Sequence, residues 1–215
     1  MRAAGVLLPL SSLPGPYGIG TLGDEARHFI DFLAEAGQSY WQILPIGPTG
    51  YGDSPYQSFS AFAANPYFID PGLLLADGLL EEGEAEAFHW GDDETKVDYG
   101  ALYQGRHALL KKAVDRLEPE DEGLSAFCAE NAFWLEDYAL FMALKGENGQ
   151  KSWLEWPDEV RLREPQALRR AVQRLAGPVR YWKGVQYLFH RQWTALKAYA
   201  GEKGVSIIGD IPIYV

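Results

Sequence analysis

The order of the first regular elements limits the fold more than any other feature of this sequence. Gly5–Leu10 is a short apolar run that predicts a buried strand, and Tyr40–Ile46 predicts a second one. Between them, Asp24 begins a helix that Gly37 is placed to end. The apolar side chains of this helix recur at helical spacing: Ala26, Phe29, Ile30 and Leu33. A right-handed crossover pairs two such strands in parallel, so the sequence predicts a parallel α/β fold.

A third strand is predicted close to the last residue. Val205–Ile213 is apolar, and about 160 mostly helical residues separate Ile46 from Ser206. We therefore predict strands 1 and 2 with a binding loop in 1–60, a mainly helical inserted subdomain in 61–203, and strand 3 in 204–215. Three strands that end on an apolar strand would leave an unprotected edge, so we expect the natural polypeptide to continue past Val215.

The helical region contains several recognisable segments. The acidic run Glu81–Glu86 predicts the solvated face of a helix. Leu109–Leu117 predicts an amphipathic helix, and Leu124–Leu144 predicts one further helix that is largely buried. Pro165 begins a basic helix that Gly177-Pro178 is expected to end. A last helix is expected to stop at Gly201.

The loop Gly47–Ser58, which follows the second strand, is the strongest candidate for a binding site. Its three glycines and two prolines interrupt both helix and strand. Between them lie side chains that offer aromatic faces and hydrogen-bonding groups: Tyr51, Asp53, Ser54, Tyr56 and Gln57. These groups suit a sugar, and ligands of parallel α/β folds bind beyond the carboxyl ends of the strands. A surface loop whose tyrosines cap the core is the alternative.

Two carboxylates stand out as candidate site residues. Asp53 lies in this loop, where an Asp between Gly and Ser is either a turn former or a ligand contact. Asp210 lies in the apolar run of the third predicted strand. Burying an ionised carboxylate is costly unless it is hydrogen-bonded or lines a site, so we interpret Asp210 as a site residue.

Other patterns exclude several classes of function. Gly18–Gly23 matches G-x-G-x-x-G, but the glycines do not follow the strand directly and no acid ends the second strand, so a dinucleotide site is rejected. The four histidines have no zinc-binding spacing.

A net charge of -11 disfavours nucleic acid as a partner. No apolar run approaches membrane-spanning length, and the single Cys128 cannot form an internal disulfide. We predict a cytoplasmic protein without a metal.

Long runs of unusual residues resemble the 4-α-glucanotransferases of glycoside hydrolase family 77, also called amylomaltases or disproportionating enzymes. The resemblance covers the whole chain. The matching runs are Ser12–Gly20, Tyr40–Gln42, Leu44–Thr49, the loop through Phe62, Asn65–Tyr67, Trp134–Phe141 and Ile208–Ile213.

This resemblance implies the first three strands of a (β/α)8 TIM barrel, with a large helical insertion between strands 2 and 3. It also implies transfer of α-1,4-glucan segments from a maltodextrin donor to the 4-hydroxyl of another sugar, without a cofactor. The retaining chemistry needs an aspartate nucleophile and a glutamate acid/base, which are expected beyond Val215, so no catalytic residue is assigned within the chain. An amylase-type glucan hydrolase and a glucan-binding fragment without catalysis are the alternatives.

Motif matching also assigns binding roles to individual residues. Tyr56 and Ser54 resemble residues that line the donor side of the cleft. Tyr51 and Tyr103 resemble a pair that forms a secondary glucan site on the surface. Asp210 matches an aspartate near the cleft, and Asp53 and Gln57 join the expected substrate-binding set.

Overall fold

The computed structural model describes residues 3–50, 52–118 and 120–214. Within this part of the chain, β1 (Gly5–Leu7), β2 (Tyr40–Gln42) and β3 (Ser206–Ile208) form one sheet. The strand order is β1-β2-β3, and both pairings are parallel. Tyr40 of the central strand pairs with Gly5 on one side and with Ser206 on the other. The predicted parallel α/β class is confirmed.

All three strands are shorter than the apolar runs that predicted them. Each apolar run contains a proline a few residues after the observed strand end, namely Pro9, Pro45 and Pro212. Proline has no N–H to donate to a neighbouring strand, so regular pairing stops before it. After β1 the chain forms a 3-10 helix over Leu10–Ser12 instead of continuing the strand.

Helix α1 (Asp24–Glu35) connects β1 to β2, and its prediction is confirmed. Its buried side chains lie on the face that the periodicity indicated: Ala26, Ile30 and Leu33. Phe29 contacts the ring of Trp41 edge-on, with 5.1 Å between the ring centroids. The indole of Trp41 is buried and donates to the carbonyl oxygen of Leu8 at 2.8 Å. These contacts fix the helix against the central strand.

The remaining α-helices are α2 (Pro71–Ala76), α3 (Tyr99–Asp115), α4 (Glu122–Glu130), α5 (Ala132–Glu147), α6 (Asp158–Arg161), α7 (Pro165–Arg174) and α8 (Ala176–Glu202). Two further 3-10 helices span Pro66–Phe68 and Trp153–Glu155. Helix α3 begins ten residues before the predicted segment because Asp98 caps it, accepting from the backbone N–H of Ala101 at 2.9 Å.

The acidic run Glu81–Glu86 forms turns, so the predicted helix is wrong. Gly83 has φ +82°, which interrupts helical geometry. The run is also not simply solvated, because Glu84 turns toward α3. Its carboxylate accepts from both terminal nitrogens of Arg116, at 2.6 and 3.1 Å, and lies 3.1 Å from the ammonium of Lys112. An ion-pair cluster thus joins this segment to the end of α3.

Two other helix predictions need correction. Leu124–Leu144 contains parts of two helices, because Asn131 lies between α4 and α5. Its side-chain amide donates to the carbonyl of Phe127 at 2.9 Å. Gly177-Pro178 does not end α7, which already ends at Arg174, but lies in the first turn of α8, which begins at Ala176. Proline is tolerated there because the N–H groups of a helix's first turn need no intrahelical acceptor.

The chain divides into two compact units, Met1–Leu117 with Leu188–Val215, and Glu118–Tyr187. The first contains the sheet and α1 to α3. The second is helical, and its core is built largely from small and aliphatic side chains: Ala139, Leu140, Ala143, Leu144, Ala171, Leu175 and Val179. Among the described helices, none is long and apolar enough to cross a membrane. The division into three segments stays a prediction.

Candidate functional site

The loop after β2 and the segment after β3 are joined by backbone hydrogen bonds. The N–H of Tyr214 donates to the carbonyl of Tyr56 at 3.0 Å, and the N–H of Ser58 donates to the carbonyl of Tyr214 at 2.9 Å. Gln57 and Tyr214 form a parallel bridge between them. Because β2 and β3 are parallel neighbours, the chain leaves both strands at the same edge of the sheet. The two segments therefore form one surface at the carboxyl ends of the strands.

Side chains of Tyr56 and Asp210 meet on this surface. The hydroxyl of Tyr56 donates to Oδ2 of Asp210 at 2.9 Å, and the N–H of Ile211 donates to Oδ1 at 2.8 Å. This bond to a carboxylate raises the pKa of the Tyr56 hydroxyl. A carboxylate offers about four lone-pair sites, so Asp210 keeps acceptor capacity for other donors.

Asp210 is exposed, so the expectation that its carboxylate is buried in a strand is wrong. Strand β3 ends at Ile208, so Asp210 belongs to the segment that follows and is not buried in the strand. Its carboxylate pays no large desolvation cost. The contact with Tyr56, not the burial argument, links Asp210 to the loop.

The other predicted residues of the loop differ in their surroundings. Ser54 and Gln57 are exposed, and the Oγ of Ser54 accepts from the N–H of Tyr56 at 3.4 Å. Asp53 is half-buried with φ +55°, a left-handed conformation that Asp tolerates in turns. Burial raises the pKa of the Asp53 carboxyl. Tyr51 lies outside the described residues.

Asp53 lines a cavity of about 30 Å³ together with Ser11, Thr49, Asn65 and Tyr99. This volume holds about one or two water molecules and is too small for a sugar ring. Nearby, Tyr67 is buried, and its pKa is raised to about 12 by burial first and by the charge of Asp53 second. The half-buried Asp53 thus borders this small cavity, and its left-handed φ is typical of a turn former.

Tyr103 presents an aromatic surface on α3. Its side chain is 56% exposed, and its ring meets His107 edge-on at 6.4 Å between centroids. The ring of Tyr67 lies 5.9 Å from His107. Burial, and then the charge of Arg106, lower the pKa of His107 to about 4, so its imidazole is neutral at pH 7. The neutral ring of His107 thus contacts both Tyr67 and Tyr103.

Arg106 is a residue that the sequence analysis missed. It is completely buried, and its two terminal nitrogens donate to the carbonyls of Ile69 at 2.9 Å and Tyr17 at 2.8 Å. Its guanidinium lies 4.9 Å from the ring centroid of Trp90. Arg106 thereby joins the loop after β1 to the segment before α2. A charged residue within an otherwise apolar helix face was the available signal.

Packing explains the glycines of the rejected dinucleotide motif. A Cβ on Gly20 would overlap the carbonyl oxygen of Leu10, and a Cβ on Gly23 would overlap the carboxylate of Asp70. Asp70 also caps α2 by accepting from the N–H of Leu73 at 2.8 Å. Close approach of neighbouring chain segments therefore accounts for these glycines. Among the described residues, no group of three or more His, Cys, Asp or Glu could hold a metal ion.

The fold and the site define a parallel α/β protein with a polar and aromatic loop at the carboxyl ends of its strands. The family model described as 4-alpha-glucanotransferase, glycoside hydrolase family 77, matches residues 8–215. The 4-alpha-glucanotransferase of Thermus thermophilus is 53% identical over 219 residues, which cover 100% of this chain and 43% of that protein. The enzyme of the same name from Clostridium butyricum is 47% identical over 207 residues, covering 96% of this chain and 42% of that protein.

A solved structure agrees with these sequence matches. The amylomaltase from Streptococcus agalactiae in complex with acarbose superposes with a TM-score of 0.96 at 45% identity, covering 100% of this chain and 44% of that one. The chain belongs to the 4-alpha-glucanotransferase family. It spans less than half the length of the relatives that it matches.

Proposed function

We propose that this chain is the N-terminal part of a 4-α-glucanotransferase, which moves α-1,4-glucan segments from a maltodextrin donor to another glucan or to glucose. The similarity to family members over the whole chain, 53% to the Thermus thermophilus enzyme, is the observation that carries this proposal. We further propose that β1 to β3 are the first three strands of a (β/α)8 barrel. The helical region between β2 and β3 is then an insertion.

The surface formed by the loop and the segment after β3 is the proposed donor-binding wall. Tyr56 offers a half-exposed aromatic face for a sugar ring, and Asp210 has unused acceptor sites for sugar hydroxyls. Ser54 and Gln57 are exposed on the same loop and supply further hydrogen-bonding groups. This placement supports substrate binding by these four residues.

Asp53 and the two other tyrosines have different proposed roles. The half-buried Asp53 shapes the loop, so its contribution to glucan binding is indirect. Exposed Tyr103 forms one half of a secondary glucan site, whose other half is Tyr51. The edge-on contact of Tyr103 with His107 supports this proposal because it helps to orient the Tyr103 ring.

Retaining transfer needs two carboxyl groups, a nucleophile and an acid/base, about 5–5.5 Å apart. We assign neither group to a residue of this chain, which covers less than half the length of its relatives. The residues of this chain bind and orient the donor. No cofactor takes part in this scheme.

Product analysis with maltotriose tests this function. The full-length protein is incubated with maltotriose, and the products are separated by anion-exchange chromatography. Transfer predicts glucose together with maltopentaose and longer maltodextrins. If all products are shorter than maltotriose, the protein is a hydrolase and not a transferase. If no products form, it is a glucan-binding protein without catalytic activity.

A further inference from the structure

The helical unit Glu118–Tyr187 contains a second cavity, of about 280 Å³. Buried apolar side chains, among them Leu144 and Trp156, form its inner wall. The ring of Phe141 packs against that of Trp156, with 5.3 Å between the ring centroids. Drug-sized ligands occupy pockets of about 300–1,000 Å³, so this cavity suits one or two small rings. It has no role in the function proposed above.

Polar and aromatic groups surround the opening of this cavity. Trp153 is 50% exposed and lines the cavity. Asp137 and Arg163 also line the cavity, and an N–H of Arg163 donates to Oδ1 of Asp137 at 2.8 Å. Both charged side chains are more than half exposed. The opening thus combines an aromatic face with forked donors and acceptors.

Arg163 occupies a position where glycine fits the backbone better. Its φ is +57°, and it follows α6 in a helix-ending motif in which its N–H donates to the carbonyl of Val160 at 3.0 Å. A left-handed conformation costs a non-glycine residue about 1–2 kcal/mol, whereas an exposed ion pair returns about 0–1 kcal/mol. The pair with Asp137 therefore does not account for an arginine here. Replacing Arg163 by glycine would therefore relieve the backbone while it removes the guanidinium from the cavity opening.

We propose that this cavity is an accessory binding site for the end of an α-1,4-glucan. An exposed aromatic side chain suits the apolar face of a glucose ring, and a forked guanidinium beside a carboxylate suits neighbouring sugar hydroxyls. The small volume favours one or two terminal glucose units over a long segment. The choice of glucan over other ligands rests on the proposed function, while the site itself rests on Trp153, Arg163 and Asp137.

The first experiment observes Trp153 directly. Full-length protein is labelled with 5-fluorotryptophan, the Trp153 resonance is assigned with Trp153→Phe, and maltoheptaose is added. Binding predicts a saturable shift of this resonance, and cellohexaose, whose linkages are β-1,4, should cause none. An unmoved resonance, including one that is unmoved because another part of the protein fills the cavity, would overturn the proposal. An equal shift with cellohexaose would overturn its α-glucan class.

The second experiment compares variants by native electrophoresis in gels that contain soluble starch. Trp153→Ala should weaken retention about two- to thirteen-fold, since an aromatic contact is worth about 0.5–1.5 kcal/mol. Leu154→Ala is the matched control because Leu154 is an exposed neighbour that does not line the cavity. Equal loss in both variants would count against the site.

Arg163→Gly separates ligand binding from folding. The substitution relieves the left-handed backbone, so the unfolding midpoint should stay the same or rise while starch retention falls. Gln150→Gly is its control, because Gln150 has φ +63° but lies outside the cavity. Retention unchanged in Arg163→Gly would remove the arginine from the site. Maltotriose disproportionation is measured in parallel, so a failure of the proposed function is recognised separately from a failure of this site.

Discussion

Replacing the buried Arg106 by methionine tests how the loop after β1 is held in place. Methionine fills much of the same volume but donates no hydrogen bond. The carbonyls of Tyr17 and Ile69 would each lose the donor that lies 2.8–2.9 Å away. Both acceptors belong to the backbone, so no compensating substitution removes them. The variant therefore leaves two acceptors without their present partner.

The expected loss follows from two opposing contributions. Each hydrogen bond from a charged group contributes about 1.5–3 kcal/mol, so the two together contribute about 3–6 kcal/mol. Removing a buried cation returns part of this, because burial itself disfavours the charge and lowers the pKa of Arg106 to about 10. Contact with the ring of Trp90 offsets some of that burial cost. We expect Arg106→Met to lower the free energy of unfolding by about 3 kcal/mol.

Urea unfolding followed by tryptophan fluorescence measures this difference. Arg191→Met is the matched control, because Arg191 makes an exposed ion pair with Asp77 at 3.0 Å, and such a pair is worth about 0–1 kcal/mol. An Arg106→Met variant as stable as the wild type would contradict this expectation. That result would mean that the cost of burying the cation balances or exceeds its hydrogen bonds.

Further predictions concern pH and ligand use. Folding lowers the pKa of His107 from 6.5 to about 4, so the unfolded state binds more protons between these values. Stability should therefore fall by at most about 3 kcal/mol as the pH drops through this window, and His107→Gln should abolish the dependence. The Arg116 ion pair lowers the pKa of Glu84 from 4.5 to about 2, so its stabilisation is present above pH 4.5 and lost toward pH 2. The free energy of unfolding of Glu84→Gln should therefore change less with pH in that window than that of the wild type. An unchanged pH dependence would exclude the ion pair as its cause. In the full-length enzyme, Tyr56→Ala should weaken use of the maltotriose donor, whereas Tyr51→Ala should mainly alter handling of long glucans. Equal effects of both changes on maltotriose turnover would contradict this division.

Local patterns in the sequence were enough to predict the sheet and its first crossover. Helix α1 has both an acidic first turn and a regular apolar face, and these signals act within one helix. The apolar runs predicted where the strands begin but not where they end. Strand ends depend on which backbone groups find a partner in the neighbouring strand, and prolines limit those partners.

The candidate site was predicted in composition but not in its contacts. Loop residues 47–58 stand out by their glycines, prolines and aromatic side chains. The bond between Tyr56 and Asp210 joins residues 154 positions apart, so it depends on the pairing of β2 with β3. For the same reason, Glu84 looked like a solvated residue until its partners on α3 were known. Charged residues reveal their role only through neighbours that are distant in the sequence.

A double-mutant cycle on Tyr56 and Asp210 tests the central claim that these two residues form one donor-binding wall. The measured quantity is kcat/KM for maltotriose disproportionation by the full-length enzyme with Tyr56→Phe, Asp210→Asn and both changes. We expect each single change to lower kcat/KM, and the double variant to lose clearly less than the product of the two single losses. Wild-type rates in both single variants, or single losses that simply multiply, would contradict it.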